Sequence, residues 1–380
     1  MESLAAPNVS FEPILRKEMP ELDTIRGLAI LGVVIYHGLR FARDISVYPS
    51  PERQFLSIVT VGQFGVQLFF VLSGFLITGL LLDSRSRPDY YRGFYIRRAL
   101  RILPLYLSIL LILAVTRIAS PGFLLISLLF CANMAQLFNI TMSYGVLWSL
   151  GVEENFYLIW PTVVHRISTR RLMIVASGIV LVTPVLRLIC HYHKDSAASP
   201  LFDCAYYTWN ASDGLACGAL LAMLVRKFRS ARRPLLVTSC LFLLGGGIIA
   251  VCGLPFGIVT RMRPVGMALQ STPMNLGFTG LLGCFLLAGT GPWKGLVNSR
   301  VLRFLGYISY GLYLIHLLVF GGYDRLVARI APGMNESLGL SGALWVRFFV
   351  ASSAAVAISI LSRKYFEDPF LRLKARLARR

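Results

Sequence analysis

Stretches apolar and long enough to cross a bilayer recur along nearly the whole chain, near residues 22–41, 61–82, 99–118, 145–165, 172–191, 209–226, 235–253, 273–290, 305–322 and 342–362. A transmembrane helix needs roughly 17–25 such residues, and a lipid-embedded segment must satisfy its own backbone hydrogen bonds, which leaves the helix as the available form. The pattern predicts an all-α integral membrane protein, a bundle of about ten transmembrane helices. The run from Phe123 to Phe138 is shorter and follows a Pro121-Gly122 turn, so it reads as an additional short re-entrant or interfacial helix. With 56% hydrophobic and 15% charged residues and a mean hydropathy of +0.66, composition argues against a soluble fold.

The formal charge of +20 would suggest nucleic acid in a soluble protein, but here Lys and Arg cluster in the gaps between apolar runs. Such gaps report orientation. With a cytoplasmic N-terminus, 26 Lys and Arg residues fall on the inner side and 7 on the outer. Making 123–138 an eleventh span would invert every later gap and place the basic ones outside, against the positive-inside rule. The expected organisation is a cytoplasmic segment at 1–21 without a cleavable signal, a membrane domain at 22–362, and a basic cytoplasmic tail at 363–380 resting near anionic lipids. The seven cysteines lack the close-spaced pairs of a metal site, and no metal is expected. Cys190 and Cys204 could meet near one membrane surface; the plainer reading is small buried apolar side chains.

Within the first span lie Arg26 and His37, eleven residues and close to three helical turns apart, on one face and about 16 Å from each other along the axis. Ionisable groups at bilayer depth cost roughly 2.5–3.5 kcal/mol on insertion scales, which marks them as functional candidates. Glu153 and Glu154 enter the fourth span from the opposite side, and His316 lies eleven residues into the ninth, so a carboxylate and a second histidine reach a depth comparable to His37. Either His37 is a general base oriented by a carboxylate such as Glu153, or it is a hydrogen-bonded structural histidine. Arg98 and Arg101, at i and i+3, share a face at the start of the third span. Planar guanidinium forks suit phosphate, although from spacing alone ordinary positive-inside decoration is the plainer reading. Gly65, Gly74 and Gly79 beside Ser73 imply either close helix packing or a groove for a narrow ligand chain. Trp148 and Ser149 open the fourth span, where Trp is an expected interfacial anchor.

The motifs ELDTIRGLAILGVVIYHG, FGVQLFFVLSGFLIT, YIRRALRILPLY, LWSLGVEENFYLIWP, ISYGLYLIH and YFEDPF occur in the order found in the acyltransferase 3 family, which the chain resembles over about residues 21 to 370. These are membrane acyltransferases that O-acetylate surface polysaccharides and other glycans. The resemblance implies ten spans with both ends cytoplasmic, acyl-CoA, by default acetyl-CoA, as cytoplasmic donor, and a carbohydrate-containing acceptor at the bacterial inner membrane. It assigns function to Arg26, His37, Arg98 and Arg101, prefers Glu153 over Glu154, and places Ser73, Trp148, Ser149, His316 and Glu367 on further motif positions. Three positions depart from the family pattern: Thr24-Ile25 where a Gly is usual, Gly151 for Ser or Ala, and Asn155 for Gln, which bears on hydrogen bonding beside Glu153. Many relatives carry an SGNH-type esterase domain after the membrane part; the expectation here is an acyltransferase membrane domain without one.

The expected reaction docks the nucleotide end of acetyl-CoA on Arg26, Arg98 and Arg101 and threads its pantetheine arm towards His37. That histidine then deprotonates the acceptor hydroxyl or carries the acyl group. Two other readings use the same residues: a transporter with a buried proton or solute path, or a catalytically dead relative that binds lipid-linked glycan. The absence of a visible inverted repeat argues against the first.

Overall fold

Helix α1 (Pro20–Ile35) begins on proline, whose missing N–H would find no intrahelical partner anyway, and carries Glu21 and Asp23 in its first turn against the helix dipole. The computed structural model describes residues 14–16, 18–41, 44–192, 206–228, 231–258, 263–289 and 294–377. Instead of ending at Ile35, the first helix widens into a π-helical turn, Tyr36–Arg40. α2 (Ser50–Val59) and a 3-10 turn lead into α3 (Gly65–Asp83), followed by α4 (Tyr90–Val115). α5 (Pro121–Leu128) and a 3-10 segment, Ala132–Phe138, fill the short apolar run. Eight α-helical residues rise only about 12 Å, too little to cross a bilayer.

The second half holds α6 (Leu147–Arg166), α7 (Thr169–Tyr192), the short α8 (Thr208–Ala211), α9 (Asp213–Lys227), α10 (Arg232–Gly253), α11 (Pro264–Leu269), α12 (Thr272–Ala288) and α13 (Lys294–Val297). The long α14 (Arg300–Ile330) and α15 (Met334–Leu361) follow. α15 breaks at Gly339, whose φ of 68° favours glycine. A second π-helical turn, Ser362–Glu367, leads to α16 (Asp368–Leu377). No strand occurs among the described residues. Helices lie at all ten expected positions, and eight helical stretches among the described residues are long and apolar enough to cross a membrane. The two that fall short are α6, which carries two glutamates, and α9, which has 15 residues and is buried along nearly its whole length.

Large apolar side chains such as Leu181, Leu241 and Ile248 face outward, as a lipid-facing surface requires. The chain is a multi-pass, all-α membrane protein. Without a hydrophobic force between helices in lipid, close packing at small residues holds them together. A Cβ at Gly27 would lie 1.9 Å from the Leu302 carbonyl oxygen, and one at Gly306 2.0 Å from that of Asp23, so α1 and α14 meet backbone to backbone. Gly74 and Gly218 likewise join α3 to α9, since a Cβ at either would lie 1.9 Å from a facing carbonyl oxygen, that of Leu215 or Val71. The glycines of α3 therefore serve packing, and Ser73 turns the other way. Cys190 is disulfide-bonded, which replaces the reading of it as a small apolar side chain. Cys204 lies outside the described residues.

Candidate active site

α1 and α14 run parallel: they cross where Gly27 faces Leu302 and Gly306 faces Asp23, and from that crossing both chains advance to the His37–His316 contact. Near the starting ends of these helices is a cavity of about 360 Å³, walled by α1, α3, α4, α6 and α14. Arg26, Arg97, Arg98 and Arg101 line it together with Glu153 and Glu154, an excess of two positive charges. Six of the ten candidate residues reach it: Arg26, Ser73, Arg98, Arg101, Ser149 and Glu153. Four do not: His37, Trp148, His316 and Glu367.

The cavity wall is a connected polar set. The Arg98 guanidinium stands 4.0 Å above the Tyr157 ring, whose hydroxyl bonds to Ser73 Oγ. Glu153 interacts with Arg98, Ser73, Arg101 and Tyr157. Arg26 is paired with Asp23 at 2.5 Å. Two donors have no acceptor: the Nε–H groups of Arg97 and Arg98 are buried without a hydrogen-bond partner. Buried unpaired donors on charged groups are costly, and an anion would satisfy them. Ser149 Oγ is 2.5 Å from the Tyr313 hydroxyl, which is hydrogen-bonded to the Val146 carbonyl.

Tyr313 connects the cavity to the histidines, its ring centroid lying 5.9 Å from that of His316. The expected pairing of His37 with Glu153 is not what the structure contains. His37 Nδ1 is 3.0 Å from the Val33 carbonyl oxygen and 3.2 Å from His316 Nε2, while His316 Nδ1 is 3.0 Å from the Leu312 carbonyl oxygen. Carbonyls only accept, so both Nδ1 atoms carry protons. His316 Nε2 must then hold a lone pair to accept from His37 Nδ1–H, and the pair is assigned as neutral. The consequence is at the far atom: His37 Nε2 is left unprotonated, a base with a fixed tautomer. His316 is fully buried, whereas His37 keeps part of its surface open.

His37 sits on the first π-helical turn and Glu367 on the second. Such turns occur often at functional sites. Glu367, buried, accepts from Ser362 Oγ at 3.3 Å and pairs with Arg363 at 3.4 Å, outside the cavity. Trp148 packs edge-on against Phe70 and 4.5 Å from the Tyr206 ring. Two departures from the family pattern have structural reasons. A Cβ at Gly151 would lie 2.5 Å from Asn133 Oδ1, so glycine admits the 3-10 segment. Asn155 Nδ2 donates to Thr208 Oγ1 at 3.0 Å, away from Glu153. Tyr157 and Tyr313 escaped the sequence reading, although their spacings of four residues from Glu153 and three from His316 put them on the same helical faces.

Comparison with known proteins places these motifs. The acyltransferase 3 profile, described as an acyltransferase domain, matches residues 19–364. The peptidoglycan O-acetyltransferase OatA of Listeria monocytogenes is 27% identical over 93% of this chain and 56% of its own length. The putative peptidoglycan O-acetyltransferase YrhL of Bacillus subtilis is 27% identical over 78% of this chain and 48% of its own. A putative O-acetyltransferase of Staphylococcus aureus is 26% identical over 93% and 57%. The chain thus spans about half the length of the curated relatives it matches. No solved structure matches it. A family match over nearly the whole membrane domain, joined to the arginine-lined cavity and the histidine pair, has one meaning: the chain belongs to the acyltransferase 3 family.

Proposed function

We propose that this protein is an acyl-CoA-dependent O-acyltransferase of a bacterial cell membrane, moving an acyl group, acetyl by default, to a hydroxyl of a carbohydrate-containing acceptor. The observation that carries the reading is the His37–His316 contact beyond the arginine-lined cavity, with His37 Nδ1 also against the Val33 carbonyl, an arrangement that leaves His37 Nε2 as the basic atom. Both termini face the cytoplasm in this proposal, so the arginine end opens to cytoplasmic acyl-CoA. Relatives named as peptidoglycan O-acetyltransferases support a glycan acceptor.

Arg26, Arg97, Arg98 and Arg101 bind the phosphates of the donor, and the unpaired Nε–H groups of Arg97 and Arg98 gain acceptors. The acyl-pantetheine arm extends past Ser149 and Tyr313 towards His37. His37 Nε2 takes the proton of the acceptor hydroxyl as its oxygen attacks the thioester carbon. The new C–O bond forms, the C–S bond breaks, and the departing CoA thiolate takes the proton back from His37. Glu153 keeps the arginines and Tyr157 in place and partly offsets the positive charge of the cavity.

The test uses purified protein in liposomes with labelled acetyl-CoA and glycan acceptors. Free CoA thiol and labelled glycan should appear together, and only when both substrates are present. Solute movement across the liposome without any thiol release would establish the transporter reading instead.

A further inference from the structure

A second cavity, of about 350 Å³, lies beyond the histidine pair on the side away from the arginines. Ser309, Tyr310 and Tyr313 of α14 line the arginine cavity, His316 follows, and Tyr323 and Val327 line the second cavity. Tyr323 and Val327 are two and three turns past His316 on the same helical face, about 10 and 16 Å further along the axis. The same order holds beside α1: Arg347, which lines the second cavity, donates from Nη1 to the Gly38 carbonyl at 2.7 Å, next to His37. Its guanidinium lies 4.7 Å from the Phe320 ring centre, and Phe320 packs edge-on to His316. The pair therefore stands between two chambers.

Their chemistry differs. The first has an excess of arginine, whereas the second has one acid and one base, Asp324 and Arg347, joined at 2.6 and 2.9 Å and without net charge. Asp324 remains about half accessible, and each carboxylate oxygen has a lone pair left to accept from a ligand hydroxyl. Tyr48 and Tyr323 supply aromatic lining, and Met334 and Leu344 supply aliphatic wall. A phosphorylated donor has no excess of cations to bind there. A pyranose, with an apolar C–H face and a rim of hydroxyls, matches such a lining.

We infer that this second cavity is the acceptor chamber, binding an uncharged pyranose unit of a glycan whose hydroxyl is presented to His37. The inference rests on the acyl-transfer reading for its purpose, but its test is a binding measurement. The full chain, purified in detergent, is titrated with the disaccharide N,N′-diacetylchitobiose, and separately with acetyl-CoA as a check that each variant is folded. Wild-type protein should bind the sugar saturably. Tyr323→Ala and Asp324→Ala should each weaken sugar binding about tenfold or more while acetyl-CoA affinity holds. Arg98→Ala should show the converse. Sugar binding untouched by both chamber substitutions, or lost with Arg98→Ala instead, would overturn the assignment. So would a wild-type protein that holds acetyl-CoA and takes up an aliphatic detergent-like chain but no sugar. Sugar binding that depends on Tyr323 in a protein that never releases CoA would instead remove the acyl-transfer reading and leave the chamber standing.

Discussion

At the scale of single residues, the histidine pair divides labour: His37 offers a lone pair, the Val33 carbonyl fixes which nitrogen offers it, and His316 holds the ring in place. His316→Ala should therefore lower kcat up to about a hundredfold, the cost of an ill-positioned group, with KM for acyl-CoA unchanged. Arg98→Ala should act in the other sense, raising KM for acyl-CoA by roughly tenfold to a hundredfold, with Arg98→Lys recovering only part because the planar fork is lost. Steady-state kinetics with the donor varied separates the two. Much of this was legible in the sequence, because helix rise gives depth: it placed Arg26 and His37 at different levels and brought His316 to the level of His37. Azimuth was not legible. Helix rise alone does not say which way a side chain turns across a bundle, and Glu153, expected beside His37, turns to Arg98, Ser73 and Tyr157.

Among the elements, α1 and α14 set the geometry of the pair through a backbone contact that tolerates no side chain. Gly27→Leu should destabilise the protein by about 1–3 kcal/mol or more, since a carbonyl, unlike a flexible side chain, cannot move aside. Gly277→Ala, where an added Cβ meets nothing within 4 Å, should be neutral or slightly stabilising, given alanine's better helix propensity. Thermal unfolding in detergent distinguishes them, and equal losses would contradict the packing account. Hydropathy made the ten helix positions legible but not the two π-helical turns, which depend on one extra residue per turn rather than on apolar pattern. It likewise failed to mark α9 as too short to span alone: buried by its neighbours, it does not need the length of a lipid-facing helix.

For the molecule as a whole, charge segregation predicts that both ends of the chain lie in the cytoplasm. A C-terminal green fluorescent protein fusion should be fluorescent and a C-terminal alkaline phosphatase fusion inactive; the opposite pair of results would reverse the orientation and, with it, the side from which acyl-CoA arrives. Parallel α1 and α14 agree with the count of spans between them, since the first and ninth of an alternating series run the same way. The two chambers, by contrast, could not be read from sequence, because their walls come from segments far apart in the chain: Tyr48 and Arg347 line one, and Arg26, Arg98 and Glu153 line the other. Acyl transfer depends in this proposal on one atom above all, Nε2 of His37, in the pair that stands between those chambers. The direct measurement is acceptor-dependent acetyl transfer by reconstituted His37→Ala protein that still binds acetyl-CoA. Loss of a general base should reduce turnover by about 10²–10⁴-fold; turnover near that of the wild type would contradict the account.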